Sequence, residues 1–182
     1  IDNMATRQRR SLGINFIPED RQTQGLVMDN SLIENAMLGR QNKDMYKTRF
    51  KSVNFKNSRK FSNKIIDQYD VRTPNSSTLA LALSGGNQQK FVVGRELEDN
   101  PSLLVATQPT RGIDSGAQSV IWEELREARD AGLGVRLRSA DLEELVGVTD
   151  RLLGMYERTI VKELLPAEET RELHGAYRTG LK

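Results

Sequence analysis

The residues best placed to do chemistry fall in two short runs. The first is Leu83-Ser84-Gly85-Gly86-Asn87-Gln88-Gln89-Lys90. A serine and two glycines at the head of a helical segment supply an N-cap, followed by backbone that a bulky anion can approach. The first turn of a helix carries unpaired N–H groups at the positive end of its dipole, so the chemistry on offer is phosphate binding. Taken alone, Ser-Gly-Gly also serves any turn before a helix. The second run is the apolar stretch Leu103-Leu104-Val105-Ala106. It ends at Thr107-Gln108-Pro109-Thr110, and Arg111-Gly112-Ile113-Asp114 follows directly. A buried parallel strand that ends in a polar turn before a helix is how α/β nucleotide folds place chemistry at strand ends.

Together these runs resemble motifs of ATP-binding-cassette (ABC) ATPases. Leu83 to Lys90 is similar to the signature motif, Leu103 to Thr110 to the Walker B strand, and Arg111 to Asp114 to the D-loop. The wording LSGGNQQK…QPTRGID most resembles the second cassette of fused, two-cassette subunits that energise bacterial uptake of simple sugars and nucleosides. Pro18-Glu19-Asp20-Arg21, with Gly25-Leu26 after it, resembles the Q-loop of that subgroup, and Glu19 stands where other cassettes carry glutamine.

The elements that must position these residues read as follows. Gly13 to Ile17 alternates as a short strand, while Ile1 to Arg10 gives no fold signal. Ser31-Leu32-Ile33-Glu34 is a capping box that starts a short helix stopping at Gly39. A second helix is expected over about Ser58 to Tyr69, with Phe61, Ile65, Ile66 and Tyr69 inward, ended before Pro74. The signature helix is expected over about Asn87 to Leu97, with Gly94 at a close packing contact. Asp114 or Ser115 caps the next helix, which carries Ile121, Leu125 and Ala128 on one face and ends near Gly132. Gly134 to Ser139 reads as a strand. Its family counterpart is apolar on both faces, yet Arg136 and Arg138 alternate along this one, and two buried unpaired arginines would each cost several kcal/mol. Leu152 to Tyr156 and Thr159 to Val161 form a terminal hairpin in which Arg158 replaces the family's usual turn glycine. A last helix is expected over Pro166 to Leu173.

The implied fold is α/β: a partial P-loop NTPase cassette with a mainly parallel sheet and a helical signature subdomain. Residues 1–29 would be ATPase core with the Q-loop-like turn, 30–100 the helical subdomain, and 101–182 the rest of the core. The phosphate loop G-x-x-x-x-G-K-[ST] does not occur in the 182 residues, and the resemblance places it before Ile1. The hydrolytic positions also depart from the family. Thr107 and Gln108 stand where aspartate and glutamate hold Mg²⁺ and polarise water, and Ala140 stands where a histidine meets the γ-phosphate. A threonine hydroxyl brings no charge to a hard cation, and a glutamine amide takes no proton as a base. The signature is intact. The resemblance therefore implies a catalytically degenerate half whose Ser84, Gly85 and Gly86 contact ATP held by a second cassette. Gln88 would lie near the ribose, and Arg111 and Asp114 at the dimer seam. ATP and Mg²⁺ belong to the full assembly, with none expected on the isolated chain. Membrane permease subunits are the other implied partners, at the cytoplasmic face of the inner membrane.

Composition narrows the alternatives. The chain contains no cysteine, so disulfides and thiolate zinc sites are excluded, and no apolar run approaches the ~20 residues of a membrane helix. The net charge of +2 implies no polyanion partner for the chain as a whole. His174, alone among polar residues, reads as a solvated side chain. Arg40 to Lys64 holds nine Lys or Arg against one acid, Asp44, with Tyr46, Phe50 and Phe55 interleaved. That pattern allows a rival reading as a single-strand nucleic-acid module, although no RNA-module motif accompanies it and no specific nucleic acid is expected. A soluble, non-transporter ABC ATPase is a third reading, opposed by the PEDR turn and the NQQK tail of the signature.

Overall fold

A computed structural model describes residues 2–47 and 52–166. In chain order its regular elements are α1 (Thr6–Ser11), β1 (Ile14–Ile17), a π-turn (Arg21–Gly25), α2 (Leu32–Ala36), α3 (Phe55–Gln68), α4 (Gly85–Leu97), β2 (Leu103–Thr107), α5 (Ser115–Asp130), β3 (Gly134–Arg138), α6 (Leu142–Val148), β4 (Leu152–Tyr156) and β5 (Thr159–Leu164). The last helix expected from Pro166, and His174 beyond it, lie outside the described residues.

Local side-chain chemistry sets the helix starts. Ser31 and Glu34 form the reciprocal box: the Ser31 Oγ accepts from the Glu34 N–H at 3.3 Å, and the Glu34 carboxylate accepts from the Ser31 N–H at 2.8 Å. Asn54 caps α3 through the Asn57 N–H, so that helix begins three residues before the expected Ser58. Ser84 caps α4, which begins at Gly85 and not at Asn87. Helix α1 was not legible in the sequence. It has no buried residue, and its start is held by the Gln8 side chain accepting from the Ala5 N–H at 2.8 Å.

The three strands β1, β2 and β3 pair in parallel in that order, with Ile17, Ala106 and Leu137 in one row. On one face Asn15, Ile17, Leu104 and Ala106 are buried, where α4 packs on β1 and α5 on β3. Phe91, Val92 and Val93 of α4 and Ile121 and Leu125 of α5 complete this core. On the other face Phe16 is 44% exposed, and both Arg136 and Arg138 are solvent-facing. The alternation along β3 therefore costs no charge burial. Among the described residues β3 is an edge strand, as is β1, and the β3 arginines lie on the exposed face of the sheet. Strands β4 and β5 form a separate antiparallel hairpin. Its turn places Glu157 at φ +47° and Arg158 at φ +66°, the left-handed pair of a type I′ connection without glycine. Gly94 does mark a close contact: a Cβ there would lie 2.6 Å from the Tyr69 ring.

Helix α4 is tied down by buried charge. Glu96 is fully buried, and its carboxylate accepts from Arg10 at 2.9 Å, Arg40 at 3.0 Å and Arg95 at 3.1 Å. The Asn15 amide donates to the Glu96 carbonyl at 2.7 Å. Burial alone would raise the Glu96 pKa; Arg95, Arg40 and Arg10 outweigh it and hold the group down at about 2. Burial likewise pulls Arg95 down to about 10.

Glu96→Gln removes the charge that Arg40 and Arg95 are buried against, and should lower stability at pH 7 by about 3–5 kcal/mol in urea melts. The folded pKa lies below the ordinary 4.5, so this contribution is present above 4.5 and is lost as pH falls toward 2. The native chain should therefore lose stability across that window more steeply than the variant. Equal acid slopes would contradict the assignment.

Candidate functional site

The C-terminal ends of the three parallel strands converge on one groove of about 620 Å³, lined by Glu19 after β1, by Gln108, Thr110 and Arg111 after β2, and by Ala140 and Asp141 after β3. The strand ends are cross-linked there. Gln108, at φ +49°, donates its N–H to the Arg138 carbonyl at 2.7 Å, and its side-chain oxygen accepts from the Ala140 N–H at 3.2 Å. The Glu19 carboxylate pairs with the Arg111 guanidinium. Thr110 donates to Glu144 at 2.7 Å, and the Trp122 indole donates to the same carboxylate oxygen at 3.2 Å, which pins the turn to α6 and α5.

The start of α4 lies beside this groove. Ser84 is exposed, and its Oγ accepts from the Asn87 side-chain amide at 2.9 Å, while Asn87 in turn accepts from the Arg72 N–H at 2.9 Å. With its lone pairs so engaged, the Ser84 hydroxyl has its own hydrogen to direct outward. Gly86 faces α5: a Cβ there would lie 2.8 Å from Ala117 and 3.0 Å from the Asp114 carboxylate. Asp114 caps α5 by accepting from the Ala117 N–H at 3.0 Å, which holds its carboxyl below the usual range. Two helix N-termini thus sit side by side, and their summed dipoles favour an anion.

The structure brings together Glu19 with Arg111, Gln108 with Ala140, and Gly86 with Asp114. It does not bring Gln88 to that surface. Gln88 is only 3% exposed and donates to the carbonyls of Ala80 at 3.1 Å and Leu83 at 3.2 Å. Its amide supports the loop that delivers Ser84. Arg21, Asn87, Glu144 and Trp122 are the site residues that sequence reasoning missed. Two of them had a signal, Arg21 as the last letter of the PEDR turn and Asn87 within the Leu83–Lys90 run.

Thr107 and Gln108 at the end of β2 present neutral oxygens, whereas Mg²⁺ is ordinarily held through carboxylates. Among the described residues there is no group of three His, Cys, Asp or Glu placed to hold an ion. Part of the basic stretch is engaged in ion pairs, with Arg40 buried on Glu96 and Asp99, Lys43 paired with Asp99 and Lys64 with Glu98, whereas Phe55, Lys56, Arg59 and Lys60 are exposed. Tyr46 is buried, with its ring edge-on to Phe61 at 6.1 Å, and so offers no stacking face. Arg49, Phe50 and Lys51 lie outside the described residues.

No family model matches the chain. Along 99% of its length it is 42% identical to the guanosine import ATP-binding protein NupO of Bacillus subtilis, of which it covers 35%. It is 38% identical, again over 99% of its length, to the glucose import ATP-binding protein TsgD13 of Haloferax volcanii, of which it covers 33%. The chain thus spans about a third of the length of the curated relatives it matches. Among solved structures, the dimeric ATP-binding cassette MJ0796 bound to ADP and Pi superimposes with a TM-score of 0.71 at 22% identity, over 91% of this chain and 69% of that one.

Thr107→Asp with Gln108→Glu should leave stability within about 1 kcal/mol, because glutamate keeps the acceptor that Ala140 uses. The pair should give the isolated chain no Mg²⁺-dependent ATP hydrolysis above buffer. Turnover that co-purifies with the double variant would show that nucleotide is gripped by residues other than a phosphate loop.

Proposed function

The chain has the ATP-binding-cassette fold, and its homologues are ATP-binding proteins of nucleoside, sugar and ribose import; from that premise we propose that it is the later part of a second cassette in such an importer subunit. In this reading residues 1–29 and 101–182 are ATPase core and 30–100 the helical subdomain. The chain contributes the signature side of a composite nucleotide site. ATP, with Mg²⁺, is gripped by the phosphate loop of a partner cassette, and permease subunits receive the motion at the cytoplasmic face of the membrane. No helix among the described residues is long and apolar enough to cross a membrane.

The observation that carries this reading is the start of α4. Ser84 is exposed, it caps α4 through the Asn87 N–H and leaves the Gly85 and Gly86 N–H groups at the open helix start, and that start abuts the α5 N-terminus, while the end of β2 beside it lacks acid groups. Such a surface stabilises phosphate charge by fixed dipoles and needs no proton transfer. ATP chemistry on this chain's own side has neither a base at Gln108 nor a carboxylate for a metal at Thr107. The solute imported is a property of subunits other than this one.

In the full assembly, ATP turnover should fall roughly tenfold with Ser84→Ala, the loss of one charge-assisted hydrogen bond of about 1–2 kcal/mol. It should fall on the order of a hundredfold or more with Ser84→Arg, which drives a long side chain into the interface. Gln108→Ala should stay near the native rate. Rates compared at matched folded fraction by circular dichroism decide the matter: loss of turnover in Gln108→Ala alongside an unaffected Ser84→Arg contradicts the trans role.

A further inference from the structure

We propose that Arg21 is a positioning residue that wedges the 111–114 turn against the start of α4, and that position 85 is glycine because the Arg21 guanidinium fills the space a side chain would need. Arg21 opens the π-turn that follows the Glu19 corner. Its Nη1 donates to the Arg111 carbonyl at 2.9 Å and its Nη2 to the Gly112 carbonyl at 3.3 Å. The same Nη2 lies 2.6 Å from where a Cβ on Gly85 would stand. One planar fork therefore touches the turns after β1 and β2 and the first residue of α4. Lysine, a point charge on a flexible stem, cannot hold two carbonyls in this geometry.

The wedge is itself braced. Asp20 accepts from the Gln22 N–H at 2.9 Å and the Thr23 N–H at 3.2 Å, which fixes the π-turn. Gly25 closes that turn tightly, since a Cβ there would meet Pro18 at 3.3 Å and Arg21 at 3.5 Å. Glu19 pairs with Arg111 from the same corner, so the 111–114 turn is held twice by one loop. Gly85 thus packs on the Arg21 guanidinium and Gly86 on Asp114 and Ala117, so both glycines lie in close contact within the chain. The segment before α4 and the 111–114 turn then move as one surface. That this surface meets a partner's nucleotide rests on the function proposed above; the wedge does not.

Amide exchange and thermal melting of the chain test the wedge. Arg21→Ala and Arg21→Lys should each speed exchange about tenfold at Arg111, Ala117 and Gln118, whose N–H groups are bonded within the turn and its cap, while α3 stays protected. Gly85→Ala should lower the melting point by several degrees in the native background. In the Arg21→Ala background the same change should be neutral or raise it, because alanine is the better helix former once the guanidinium is gone. A Gly85→Ala shift of the same sign and size in both backgrounds, or unchanged exchange at those three amides in both Arg21 variants, overturns the proposal. ATP-dependent association with a complete cassette is read separately on the native chain. Its absence would sink the importer reading and leave the wedge to be judged by exchange and rescue.

Discussion

Glu96 and its three arginines fix where the signature helix can sit. A carboxylate at full burial is tolerated only with close counter-charge, and here that charge comes from α1, from the segment after α2 and from the neighbouring residue of α4. The cluster therefore joins α1, the segment after α2 and α4 through one carboxylate. The apolar contacts of Phe91, Val92 and Val93 supply more burial, but they are non-directional and would allow α4 to slide along its axis. The ion cluster selects one position, and Asn15 on the Glu96 carbonyl sets its height against β1. Ser84 is presented twelve residues upstream of Glu96, as the N-cap of the same rigid helix, with an orientation that follows from that of the helix.

The second constraint is steric. Glycines at 85 and 86 read at first as room for an anion to approach the backbone. In the structure that room is already partly occupied, by Arg21 at one glycine and by Asp114 and Ala117 at the other. What remains open to solvent is the outward edge of the helix start, with the Ser84 hydroxyl oriented by the Arg72–Asn87 relay. Gly86 thus allows the close approach of α4 to α5 that sets two dipoles side by side.

Sequence reasoning succeeded where the physics is local. The capping box at Ser31, the caps at Ser84 and Asp114, the strand ends at Ile17 and Thr107 and the tight contact at Gly94 all follow from a few consecutive residues. It failed where a polar side chain is satisfied by something distant in the chain. Arg10 reaches Glu96 across 86 positions, and Arg21 reaches Arg111 across 90. The resemblance puts Gln88 near the ribose, yet the residue is buried and its amide donates to two carbonyls of the preceding loop. Helix α1 has no apolar periodicity, since the part of it that matters is the Arg10 guanidinium. At β3 the pattern was read correctly as one-sided, and the open sheet face supplies the reason.

The central claim is that Ser84 to Gly86 meets the γ-phosphate of a nucleotide held by another cassette. The most direct measurement is photo-crosslinking with an ATP analogue that carries its reactive group on the γ-phosphate, mapped by peptide sequencing. With a complete partner cassette present, label should appear on the peptide spanning Ser84 to Gly86, and it should vanish when the partner's phosphate-loop lysine is removed. Label on that peptide in the absence of any partner, or label confined to the partner in the assembled pair, would contradict the account.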